Sequence, residues 1–184
     1  SVVYVRNKRR LAEQVGIRSV HHHLTSTVAE GTLLALVAQM NADDSIDGIL
    51  VQLPLPNQID EAAVVRAISP SKDVDGLHPE SFAALVLGHR GLVPCTPLGC
   101  MRLLQEANVQ LSGAHAVVVG RSNLVGKPLA HLLLQRHATV TLCHSRTKNL
   151  AQLTRQADVL VAAVGRANTI GGEHVKEGAV VLDV

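Results

Sequence analysis

Along the first half of the chain, apolar positions recur at helical spacing. Tyr4 to about Val15 predicts a helix ended by Gly16. Val28 to Asn41 predicts a second, with Leu33, Leu34, Leu36, Val37 and Met40 on its apolar face. Ile49-Leu50-Val51-Gln52-Leu53 is a short apolar run that reads as a strand ended by Pro54 and Pro56. Asp60 stands where it would cap a helix running to Ile68. Residues 69–76 are a polar loop, residues 77–96 show no clear period, and Pro97 suits the first turn of a helix to about Ala107.

From His115 the rhythm changes. Apolar strands are expected at 116–119, 138–143, 158–164 and 179–184, with helices at 128–136 and 148–156 between them. Strands alternating with helices of this length predict βαβ units and a parallel sheet. The fold class is therefore α/β, with a Rossmann-type parallel sheet in the second half; a domain boundary near the helix at 97–107, the connector, would divide the chain into 1–96 and 97–184. A helix at the very start and a buried strand at the very end give the expectation that both domains are truncated.

Composition sharpens this picture. Of the 184 residues, 47% are hydrophobic, but there is one Tyr (Tyr4), one Phe (Phe82) and no Trp. An aliphatic composition of this kind suits parallel strands covered on both faces. A formal charge of only +2 and the lack of aromatics to stack bases argue against a nucleic-acid partner. No apolar run approaches the roughly 20 residues of a membrane span. Cys95, Cys100 and Cys143 lack CxxC spacing and read as reduced thiols of a cytosol-like compartment. His21-His22-His23 lies in a polar stretch and reads as solvated, so no metal is expected.

Candidate chemistry begins at Gly120-Arg121-Ser122-Asn123-Leu124-Val125-Gly126-Lys127-Pro128, which joins a strand to a helix. Glycines let the backbone approach a pyrophosphate, and the helix start offers free N–H groups and a positive dipole end. The spacing is not GxGxxG, so an ordinary βα turn is the alternative. After the next strand stand His144-Ser145-Arg146-Thr147, where an NAD enzyme usually places a carboxylate for the ribose. No acid is present and one cation is. With Arg121 nearby, Ser145 and Arg146 suit a 2′-phosphate, hence NADP; a solvated loop arginine is the plain alternative. Tyr4 and Lys8, four apart on a helix, share a face, as any solvent-facing pair would. Gln52 lies inside an apolar run, where an amide needs partners that a lysine or a ligand would supply. Asp75 sits beside Gly76, in a loop where Asp is common for turn reasons alone.

Taken together, Ser1-Val2-Val3-Tyr4-Val5-Arg6-Asn7-Lys8, Asp47-Gly48-Ile49-Leu50-Val51-Gln52-Leu53-Pro54-Leu55-Pro56, Lys72-Asp73-Val74-Asp75-Gly76, Pro94-Cys95-Thr96-Pro97 and the loop 120–128 resemble the bifunctional methylenetetrahydrofolate dehydrogenase/methenyltetrahydrofolate cyclohydrolase family, in its order and spacing over the whole chain. The resemblance implies two lobes with a folate cleft between them and NADP on the second. It implies oxidation of 5,10-methylene-tetrahydrofolate and hydrolysis of the methenyl product. It makes Lys8 the catalytic lysine, Tyr4 a residue stacked near the folate ring, and Gln52 the holder of the lysine amine. Val51 and Leu53 border the substrate, and Asp75 anchors the pterin. Gly120, Arg121, Ser122 and Gly126 belong to the cofactor-phosphate loop, with Ser145 and Arg146 at the 2′-phosphate. The expected partners are a folate and a second copy of the chain, in the cytoplasm, with neither nucleic acid nor membrane. One departure stands out: Ser81-Phe82-Ala83-Ala84-Leu85 replaces the family's usual Asn-Val-Gly-Arg-Leu.

Overall fold

The computed structural model describes residues 2–184. It divides into two compact units, Ser1–Ile68 and Ser69–Val184.

In the first unit, α1 spans Val2–Gln14, α2 Glu30–Ala42 and α3 Glu61–Ala67. Gly16 ends α1 at φ 79°, and the following Ile17 N–H returns to Ala12 O at 2.8 Å, closing the helix in a left-handed turn. Asp60 caps α3, its Oδ1 accepting from Ala62 N–H at 2.9 Å. Leu33 and Val37 of α2 pack with Val64 of α3 and with Ile49, Ile59 and Ile68 in one apolar core. The strand expected at 49–53 is not formed: the segment is extended, and only Ile49 makes a β-bridge. A strand needs a ladder, and no other strand exists among the described residues of this unit. Pro54 and Pro56 carry no N–H to extend one. Burial of Ile49 against the helices keeps the segment in place instead.

The second unit holds α4 (Pro79–Leu87), α5 (Cys95–Glu106), β1 (His115–Val119), α6 (Gly126–Gln135), β2 (Thr139–Cys143), α7 (Leu150–Thr154), β3 (Val159–Ala162) and β4 (Val180–Asp183). The strands form one sheet in the order β2-β1-β3-β4, all parallel, with Val117 opposite both Thr141 and Leu160. Alternation along β1 sends Ala116 and Val118 to one face, where they meet Cys100 and Leu104 of α5 and Leu129 and Leu133 of α6. Val117 and Val119 point to the other, against Leu160, Cys143 and the α7 side chains Leu150 and Leu153. The sheet is thus covered on both faces, as its unbroken apolar strands require.

α4 occupies the stretch without a readable period. Its apolar residues run continuously from Phe82 to Leu87, so no stripe marks a helix; the signals are at its ends. Pro79 opens it, His78 Nδ1 accepts from Glu80 N–H at 3.1 Å, and Gly88 closes it at φ 72°. Gln135 donates to Leu85 O at 2.6 Å and Phe82 meets His131 edge-on at 5.8 Å between centroids, which ties α4 to α6. Residues 69–96 therefore pack with the second unit, and compactness divides the chain after Ile68 rather than at 96/97.

Candidate active site

α1 carries Tyr4 and Lys8 one turn apart on the same face. Lys8 Nζ donates to Gln52 Oε1 at 3.2 Å and stands 5.9 Å from the centre of the Tyr4 ring, within reach of a cation–π attraction. Gln52 Nε2 donates in turn to Leu53 O at 3.0 Å. The amide is therefore oriented, its nitrogen tied to backbone and its oxygen turned to the lysine. Val51 and Leu53 are half-buried on either side, Val51 against the core. Tyr4 is 70% exposed and Lys8 is exposed as well, so both remain open to a ligand. An amine held by an uncharged acceptor beside an aromatic face is suited to moving a proton next to a flat, cationic substrate.

Asp75 belongs to the second unit and is half-buried. It lies in a turn closed by Gly76 N–H to Asp73 O at 3.2 Å. Gly76 has φ 64°, and a Cβ there would come 2.8 Å from Leu92 O and 2.9 Å from Pro94 Cδ, so only glycine fits. Asp73 was missed by the sequence reading. It is 2% exposed, and its Oδ2 accepts from His78 N–H and Ser81 Oγ–H, each at 2.8 Å. The available signal was a second aspartate in the same motif followed by a helix start, where carboxylates commonly take up orphan N–H groups.

The glycine loop 120–128 follows β1. Gly120 has φ 134°, its N–H donates to Cys143 O at 2.9 Å, and a Cβ would collide with Ala163 O. A Cβ on Gly126 would collide with Gly120 O, so both ends of the loop need glycine to close on each other. One expectation needs correction. The first-turn amides of α6 are not free: Val125 and Gly126 N–H donate to Ser122 Oγ at 3.1 and 3.3 Å, Lys127 N–H donates to Ser122 O at 3.1 Å, and Pro128 has none. Ser122 thus folds the loop back onto the helix. The donors left over are the exposed loop amides at 121–124, which have no acceptor among the described residues. Lys127 holds Asn123 Oδ1 at 2.7 Å and braces the same loop.

β2 ends at Cys143, whose thiol is pushed up by burial, partly offset by the Thr147 hydroxyl. The next turn closes on itself. Thr147 N–H donates to His144 O at 2.8 Å, His144 N–H to Thr147 Oγ1 at 2.8 Å, and Arg146 N–H to His144 Nδ1 at 3.1 Å. This leaves Ser145 and Arg146 exposed at the tip, at the same sheet end as Arg121. Among the described residues, no three His, Cys, Asp or Glu side chains gather as a metal site would require.

Comparison with known proteins places this geometry. Residues 1–75 match the model of the tetrahydrofolate dehydrogenase/cyclohydrolase catalytic domain, and residues 94–184 match that of the NAD(P)-binding domain of the same enzymes. The whole chain is 57% identical to "Bifunctional protein FolD" of Halalkalibacterium halodurans and 56% identical to that of Magnetococcus marinus, covering 66% and 65% of them. The chain thus spans just under two thirds of the length of these curated relatives. Among solved structures, FolD from Campylobacter jejuni superposes with a TM-score of 0.94 at 46% identity, over 97% of this chain and 64% of that one. FolD of Trypanosoma brucei, solved with NADP and an inhibitor, gives 0.93 at 37% identity over 97% of this chain and 62% of that one. With both domain models matched in order and the shared fold in hand, the chain belongs to the tetrahydrofolate dehydrogenase/cyclohydrolase family.

Proposed function

We propose that the protein carrying this chain oxidises 5,10-methylene-tetrahydrofolate with NADP and hydrolyses the methenyl product to 10-formyl-tetrahydrofolate, a pair of steps in one-carbon metabolism. The observation that carries this reading is the Lys8–Gln52 hydrogen bond beside the Tyr4 ring, in a chain that also carries a glycine-closed phosphate loop. Residues 1–96 serve the folate and residues 97–184 the cofactor.

NADP fits the residues that would hold it. Gly120 and Gly126 let the loop close on the start of α6, where any Cβ would strike backbone, and Arg121, Ser122 and the exposed loop amides supply donors for a phosphate. Ser145 and Arg146 offer a hydroxyl and a cation where NAD would want a carboxylate. When bound, NADP supplies the acceptor for a hydride from the one-carbon bridge. The chain's own part is placement: Tyr4 lies against the flat ring, Asp75 receives pterin N–H groups, and Val51 and Leu53 border Gln52 with apolar surface. In hydrolysis, water adds to the methenyl carbon and loses a proton, the ring C–N bond opens, and the departing ring nitrogen gains a proton. Lys8 Nζ, aimed by Gln52, handles the proton of the attacking water.

The whole protein acts in the cytoplasm as a homodimer on the same reading. Leu87, Leu103 and Leu134, 68%, 60% and 57% exposed on α4, α5 and α6, are apolar side chains that a second copy would cover. No helix among the described residues is long and apolar enough to cross a membrane.

The test is to supply 5,10-methylene-tetrahydrofolate with NADP and follow both NADPH and 10-formyl-tetrahydrofolate. Both should accumulate together. NADPH without 10-formyl product would reduce the reading to a dehydrogenase, and no NADPH would overturn it.

A further inference from the structure

We propose that Asp73 is the positioning residue that aims Asp75 at the folate. The inference rests on the reading of Asp75 as the pterin anchor and adds how that anchor is held.

A buried carboxylate is costly unless its oxygens are occupied. Asp73 is 2% exposed, and its Oδ2 takes two donors from the start of α4: His78 N–H and the Ser81 hydroxyl, both at 2.8 Å. Both donors are themselves buried, at 9% and 6% exposure. The same residue's carbonyl closes the turn around Asp75 by accepting Gly76 N–H at 3.2 Å. Asp73 therefore grips the loop twice. Its main chain sets the bend at Val74 and Asp75, and its side chain ties that bend forward to the first turn of α4. Gly76 sits where a Cβ would meet Leu92 O and Pro94 Cδ, so the turn is closely packed there. The Ser81 hydroxyl supplies the side-chain donor from the first turn of α4. Misplacing a charged anchor by about an ångström weakens binding without touching the reacting atoms.

The experiment measures KM and kcat for hydrolysis of 5,10-methenyl-tetrahydrofolate by the natural protein and its Asp73→Asn, Ser81→Ala, Ser81→Thr and Asp75→Ala variants, and by the double variant of Asp73 and Asp75. Asp73→Asn should raise KM about tenfold and Ser81→Ala about threefold, the scale for losing part of a charged hydrogen-bond set. The kcat should change little, and Ser81→Thr, which keeps the hydroxyl, should stay near the natural KM. In the Asp75→Ala background, Asp73→Asn should add nothing, because its effect runs through Asp75. A lowered melting temperature with unchanged KM would make Asp73 merely structural and overturn the proposal, as would effects that multiply in the double variant. If Asp73→Asn does not fold, Ser81→Ala carries the same comparison. An Asp75→Ala variant with normal KM would instead bring down the anchoring role itself, a result that the single variants at 73 and 81 do not produce.

Discussion

On the proposed reading, Lys8 is useful because its partner is neutral. Gln52 aims the amine without offering it a counter-charge, and the amide is held by Leu53 O on its other side. Removing the amide in Gln52→Leu, and with it both of its hydrogen bonds, should leave the fold standing, since the side chain is only half-buried, and slow hydrolysis about tenfold to a hundredfold. A hydrolysis rate within twofold of the natural protein would show that Gln52 does not aim the lysine. Asp75 is subject to a stricter comparison. Asp75→Ala should weaken folate binding by about 2–4 kcal/mol, the scale for removing a charged hydrogen-bond partner, with NADP affinity unchanged. Asp75→Asn keeps the ability to turn but not the charge, so normal folate binding in that variant would reduce Asp75 to a loop residue. The cysteines separate by environment. Burial pushes the Cys100 and Cys143 thiols up, whereas Cys95 is exposed. Limited alkylation of the native protein followed by peptide mass analysis should label Cys95 first, and equal labelling of all three would contradict that burial.

Elements meet at two places where single residues decide geometry. At the upper end of the sheet, Gly120→Ala would force a Cβ into Ala163 O at a φ that side chains avoid. It should cost about 2–3 kcal/mol of stability and abolish cofactor binding. At the opposite end, one carboxylate ties the starts of β1 and β3 to the loop before β4. Asp158, just before β3, accepts from Lys176 Nζ at 2.6 Å and from His115 N–H at 2.9 Å. The Lys176 hydrogen bond, then that of the His115 backbone, holds its carboxyl below the usual carboxylate range. A lowered native pKa gives stability that is complete above the unfolded value of about 3.9 and is lost as pH falls through the native value. Urea midpoints of the natural protein and Asp158→Asn should thus differ at neutral pH and converge on acidification; a constant gap would contradict this. These strands were legible because unbroken valine and leucine runs between helices have one common arrangement. The α4 helix was not, since its apolar residues show no stripe and its signals lie in His78, Pro79 and Gly88. The strand at 49–53 was misread for the opposite reason: an apolar run states what wants burial, not whether a ladder partner exists. At the site, Tyr4, Lys8 and Gln52 drew notice in the sequence only as a set, and the structure brings the three together; the tertiary grip of Asp73 on Ser81 leaves almost no local trace.

At the scale of the molecule, the lysine group and the glycine loop proposed for the cofactor stand on different compact units of one chain. The lysine group is built on α1 and the segment beside α2 and α3; the phosphate loop and the Ser145–Arg146 turn are built on the parallel sheet. This separation predicts that cofactor preference and hydrolysis respond to different substitutions. Arg146→Asp should turn preference from NADP toward NAD, because it removes the cation and offers the ribose a carboxylate. Dehydrogenase kinetics with both cofactors check this, and an unchanged ratio would place the 2′-phosphate elsewhere. The central claim is that Lys8 carries the chemistry of the folate half, and Lys8→Met tests it most directly. The measurement pairs hydrolysis of 5,10-methenyl-tetrahydrofolate with NADP titration of the same preparation. Hydrolysis should be abolished while NADP affinity stays near that of the natural protein, and Lys8→Arg should not restore it, because a guanidinium keeps its proton. Hydrolysis by Lys8→Met at close to the natural rate would contradict the account.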